Sequence, residues 1–228
     1  MSGRVPAAAG DGYEWLGQQS RGLNMSAPSQ DDLTRLRAIA EQGRNVPLLG
    51  GWHLILWAGA TVLGLLINWA VVRHVLPWPA YALGISWFGL VFAAWGGSFL
   101  IDRFQAGRPG AFSVGNRIER AAWIAAGAFL FILALALLVR AVLSGDPGAW
   151  SLFAVMTPVS FGVYAIAFYA SAGGGGTARP YAILSLVFAA ATAVMIGSPE
   201  QYLVAAAGVA LVLIPPGLGH LAAVRRAD

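Results

Sequence analysis

The sequence predicts an all-α integral membrane protein: a six-transmembrane-helix bundle, N-in/C-in, preceded by a short amphipathic cytoplasmic helix. Three observations predict it. Hydrophobic residues make up 58% of the chain and charged residues only 11%, with a mean hydropathy of +0.68, whereas soluble domains are roughly a quarter charged. Apolar runs follow one another from residue 48 onward, most near the ~20 residues a helix needs to cross the hydrocarbon core. All 14 basic residues are arginine, and they gather on one side of those runs.

The arginines fix the expected orientation. Residues 101–120, IDRFQAGRPGAFSVGNRIER, form the longest polar interval after the first 50 residues and carry Arg103, Arg108, Arg117 and Arg120. Arginine close to a membrane segment is retained on the cytoplasmic side. With the N-terminus inside, Arg4, Arg21, Arg35, Arg37, Arg44, the four of this loop, Arg179, Arg225 and Arg226 are all cytoplasmic. Arg73 and Arg140 alone fall outside, at helix ends where their side chains can reach the headgroups.

In chain order, residues 1–28 are rich in small and polar types and lack the apolar core of a signal peptide, so they read as a disordered cytoplasmic tail. Tyr13, Trp15 and Leu16 form an aromatic island within it. Residues 29–47 read as an amphipathic helix and linker: Ser29 can cap, Leu33, Leu36, Ile39 and Ala40 share a face, and Gly43 with Pro47 makes a stop. Such a short helix is unstable alone in water and must lie on membrane, bundle or partner.

The transmembrane domain is expected over 48–224, with spans at 48–75, 79–101, 121–143, 149–172, 180–196 and 201–224, and residues 225–228 as a cytoplasmic C-terminus. The fifth span is short. A flexible link, GGGGT, precedes it at 173–177 and lacks the pattern of a phosphate loop. Small-residue pairs such as Ala60 with Gly64, Gly84 with Gly89, and Ala205 with Val209 would allow close helix approach. Trp52, Trp78, Tyr81, Trp123, Trp150 and Tyr202 lie near expected helix ends, as an interfacial aromatic belt does. Trp57, Trp69, Trp87 and Trp95 lie deeper and read as packing residues.

Several chemistries are excluded. Without cysteine there is no thiol catalysis, disulfide or cysteine-ligated metal. Without lysine there is no Schiff base and no Walker-type phosphate lysine. The arginines form no continuous stripe, so a nucleic-acid partner is not expected despite the net charge of +4. No acidic residue sits deep in an expected span, which weighs against a proton-coupled pump. Asp102 beside Arg103 and Glu119 beside Arg120 read as solvated helix-end charges.

What remains are three expectations and no motif diagnostic of a family. The leading one is a non-enzymatic membrane accessory or regulatory subunit, contacting a membrane-protein partner or another copy of itself through Leu33, Leu36, Ile39, Arg103, Arg108 and Arg117. The second is a small transporter or channel for a neutral or hydrophobic solute, with Asn68, Thr157 and Ser160 lining the path and helix breaks at Pro158 and Pro215. The third is a haem- or pigment-binding protein using His53 or His220, which the topology places toward one side. No metal site and no resident cofactor are expected. The Ala, Gly and Arg bias points to a GC-rich bacterial genome, and hence to the bacterial inner membrane.

Overall fold

The computed structural model describes residues 48–108, 111, 113–145, 147–171 and 178–227, together with 30, 31 and 34. The chain forms two units, Met1–Gln42 and Gly43–Asp228. In the first, the three described residues are helical, and the Thr34 hydroxyl donates to the Gln30 carbonyl at 2.8 Å. Leu33, Leu36 and Ile39, the 173–177 link and the whole 1–28 tail lie outside the described residues.

The second unit is helical throughout its described residues: α1 (Gly51–Val72), α2 (Ala80–Gln105), α3 (Val114–Ser144), a 3-10 segment (Pro147–Val155) running into α4 (Met156–Ser171), α5 (Arg179–Val194) and α6 (Glu200–Ala227). Five of these stretches are long and apolar enough to cross a membrane, and α5 is a shorter apolar helix. The protein is a multi-pass membrane protein. At 16 residues, α5 is about 24 Å long at 1.5 Å per residue, short of the ~30 Å hydrocarbon core.

Helix ends follow local chemistry. α1 closes in a left-handed turn: His74 has φ 56°, its amide reaches the Val71 carbonyl at 3.0 Å, and the Val75 amide reaches Ala70 at 2.8 Å. That double bond pattern satisfies carbonyls the helix end would otherwise leave open. It gives the third histidine a structural place. Ser113 caps α3 by accepting from the Asn116 amide, and Gly145 at φ 62° ends it. Pro180 opens α5, where its missing N–H costs nothing.

Several helix bounds move relative to expectation, two of them because hydropathy does not register polar first and last turns. The third span, expected from 121, begins at Val114, and the second runs on to Gln105. Both extensions carry the arginine-rich loop's residues into regular helix.

The prolines do less than their sequence context promises. Pro158 lies in the first turn of α4, just after the 3-10 segment, where an α-helix lacks amide partners anyway. Pro215 and Pro216 lie inside a continuous α6, so the local cost is the hydrogen bond each would have donated to the Leu211 and Val212 carbonyls four residues before.

Each helix packs on its sequence neighbour except α2 on α3, and α6 returns to pack along α1. Gly51 and Gly217 bring the start of α1 against the end of α6, while Arg73 at the end of α1 lies 3.7 Å from Glu200 at the start of α6. The two helices are therefore antiparallel. The core draws Leu54, Ala58 and Leu65 from α1, Phe161 and Phe168 from α4, and Ala205, Val209, Val212 and Leu213 from α6. Glycines act where aromatics need room: Gly64 receives Trp87, and Gly208 receives Phe161 and Phe188. Gly84 and Gly89 face open space instead. Between α2 and α3 the contact is lighter, with Trp95 and Phe131 at 5.3 Å, and both helices turn broad apolar faces outward.

Candidate functional site at the arginine-rich end

The start of α1, the end of α2, the start of α3 and the end of α6 converge at one end of the bundle, and its polar side chains interlock. α1 has no cap of its own, since Gly50 offers no side chain. α3 supplies one. Asn116 Oδ1 accepts from the Leu49 amide at 2.8 Å, and Glu119 accepts from the Gly50 amide. Asn116 is itself held by Ser113, to which its side-chain nitrogen donates at 3.0 Å. A carboxylate at a helix N-terminus also meets the positive end of the helix dipole.

Glu119 is buried, at 4% exposure, in contrast to the solvated charge expected from its place beside Arg120. The reason is helical phase. Once α3 begins at Val114, residues 116, 119 and 123 share its inner face, while 117 and 120 point outward. His220 of α6 brings Nδ1 to 3.6 Å from Glu119 Oε1, a contact too long for a hydrogen bond. That Nδ1 and Trp123 Nε1 are both buried without a hydrogen-bond partner among the described residues.

A second acid–histidine pair stands beside it. His53 Nε2 of α1 lies 3.3 Å from Asp102 Oδ1 of α2, and Arg120 of α3 donates to Asp102 Oδ2 at 2.7 Å. His53 also meets the Ser98 backbone. The two histidines offered as candidate ligands thus each face a carboxylate from a different helix. No group of three metal-ligating side chains occurs among the described residues.

Around this inward network the arginines turn out. Arg103, Arg108 and Arg117 are all exposed. Acids and histidines are drawn between the helices, and cations are left on the rim.

The residues expected to line a solute path are placed differently. Asn68 accepts from Trp87 Nε1 at 3.1 Å, tying α1 to α2. Thr157 donates to the Ala154 carbonyl at 3.0 Å and is bonded by the Gln201 side chain, tying α4 to α6. Ser160 is half-buried on α4, and Pro215 is exposed on α6. Asn68 and Thr157 are each taken up by a separate interhelical bond.

Two nodes carry no signal in hydropathy. Gln201 is 1% exposed and donates to the Ala154 carbonyl at 2.8 Å. Asn116 could have been found from Ser113, three residues ahead of it, because that spacing is a helix-start pattern.

No protein-family model, curated protein or solved structure matches this chain.

Proposed function

We propose that this protein is a non-enzymatic accessory or regulatory subunit of a membrane assembly, engaging its partner through the arginine-rich end and the tail that leads into it. The observation that carries this reading is the charge segregation just described. Asp102 and Glu119 are consumed by contacts within the bundle, whereas Arg103, Arg108 and Arg117 stand exposed on the rim. Such a surface presents positive charge on a braced support, which suits recognition of an acidic partner surface. Leu33, Leu36 and Ile39 would add an apolar face to the contact.

The same reading places six spans across a bacterial inner membrane, α5 being the short one, with both termini cytoplasmic. The arginine distribution supports that orientation.

The test is extraction of the tagged full-length chain from its native membrane in mild detergent, followed by mass analysis. A stoichiometric partner is expected, lost when residues 1–47 are deleted or when Arg103, Arg108 and Arg117 are replaced together by Gln. A chain that runs alone, or a partner retained by both variants, overturns the reading.

A further inference from the structure

Two adjoining grooves open at the end of α6. One, of about 430 Å³, is lined by Leu218, Leu221, Ala222, Arg225 and Arg226. The other, of about 220 Å³, shares Leu221 and Arg225 and adds Trp52, Val224 and Arg108. The two share Leu221 and Arg225 and so adjoin, making a furrow along the end of α6. Its floor is aliphatic and its rim is arginine.

We propose that this furrow binds an anionic phospholipid of the surrounding bilayer, with the headgroup phosphate on Arg225 and Arg226 and an acyl chain along Leu218, Leu221 and Val224. Three observations on these residues carry the assignment. First, the furrow lies at the end of a helix long enough to cross the membrane, so its rim stands at the depth of the headgroups, where basic pockets between helices hold acidic lipids. Second, Trp52 on α1 borders it and is 50% exposed, as an interfacial tryptophan is. Third, the described acids of this end are occupied elsewhere: Asp102 by His53 and Arg120, and Glu119 by the Gly50 amide.

Arginines at a helix end also offset the helix dipole, and Arg226 Nε does donate to its own Ala222 carbonyl at 3.1 Å. The dipole does not require arginines from two separate segments, Arg108 and Arg225, to border one aliphatic groove. An amphiphile does. The planar guanidinium fork matches phosphate oxygens in pairs, and its remaining donors stay available when one is spent on the backbone.

Lipid capture here is independent of any protein partner, because the purified chain alone is the test. The full-length protein in mild detergent is titrated with short-chain phosphatidylglycerol, with phosphatidylcholine of the same chain length, and with inorganic phosphate, and bound lipid is counted by native mass spectrometry. Phosphatidylglycerol should bind roughly tenfold or more tightly than phosphatidylcholine, given two arginines near the phosphate. The exposed pair Arg225→Gln with Arg226→Gln should abolish that preference, and the corresponding Lys pair should keep most of it. A brominated acyl chain should quench fluorescence that is lost in Trp52→Phe. Equal affinity for the two lipids, or a preference that survives the Gln pair, overturns the proposal. Displacement of the lipid by inorganic phosphate alone would reassign the site to a soluble phosphate ligand. Displacement by a peptide of residues 29–47, which carries Asp31 and Asp32, would reassign it to the chain's own tail.

Discussion

Glu119 on α3 closes the first turn of α1 through Gly50, accepting its amide while standing so near that a Cβ there would lie 2.7 Å from Oε1. A cap supplied by another helix makes the start of α1 dependent on tertiary structure. Glu119→Ala should leave the Gly50 amide without that partner and cost about 1–3 kcal/mol. Glu119→Gln keeps an acceptor and should cost less. Thermal unfolding in detergent ranks the two, and hydrogen exchange at Leu49 and Gly50 should quicken in the Ala variant. Equal stabilities and unchanged exchange would remove the capping role.

The crossing of α1 and α6 has no room for a side chain. A Cβ on Gly51 would meet the Gly217 carbonyl at 2.7 Å and His220 Cβ at 3.0 Å. The first obstacle is backbone and cannot rotate away. Gly51→Ala should therefore destabilise by about 1–3 kcal/mol through forced separation. Gly59→Ala on the same helix meets nothing within 4 Å and should be neutral or stabilising, since Ala is the better helix former by about 1 kcal/mol. The contrast in melting temperature between the two variants is the measurement.

Gln201 ties the start of α6 to the junction of the 3-10 segment and α4. Replacing it with Leu keeps apolar volume but removes its bonds to the Ala154 carbonyl and Thr157. The loss should be about 1–3 kcal/mol, the cost of stranding buried polar groups. A Thr157→Val, Gln201→Leu double variant should cost less than the two single changes added, because the residues share one network. Strict additivity in unfolding free energy would argue against that coupling.

Pro215 and Pro216 sit in an unbroken helix, so their replacement tests whether they are needed at all. Pro215→Ala restores an amide donor toward the Leu211 carbonyl, and Pro216→Ala does so toward Val212. Both variants should keep the fold, with melting temperatures equal to or above that of the parent. A marked loss of stability would show that the helix depends on the pyrrolidine rings for packing.

Sidedness is accessible because the chain has no cysteine. Single cysteines at Gly107, beyond α2, and at Ser151, in the 3-10 segment at the other end, are both at exposed positions. In intact cells a membrane-impermeant thiol reagent should label Ser151→Cys and spare Gly107→Cys until the membrane is opened. The reverse pattern would invert the orientation inferred from the arginines.

The sequence alone determined the membrane class and the helical fold, because a bilayer demands long apolar stretches whose backbone bonds are closed within each segment. The arginine-rich interval also announced itself, since charge is excluded from such stretches. What only the tertiary structure decided is which of the remaining polar groups meet. Helical phase alone turned Glu119 inward and left Arg120 outside. His53 and His220 looked alike as interfacial histidines, yet their acids come from α2 and α3, residues 49 and 101 positions away in sequence only by virtue of the packing that joins them. Asn116 and Gln201 were invisible to hydropathy, because a single amide hardly changes a window average. The role of Asn116 arises where the start of α3 meets that of α1, and that of Gln201 where the start of α6 meets the junction of the 3-10 segment and α4, contacts that no local pattern encodes.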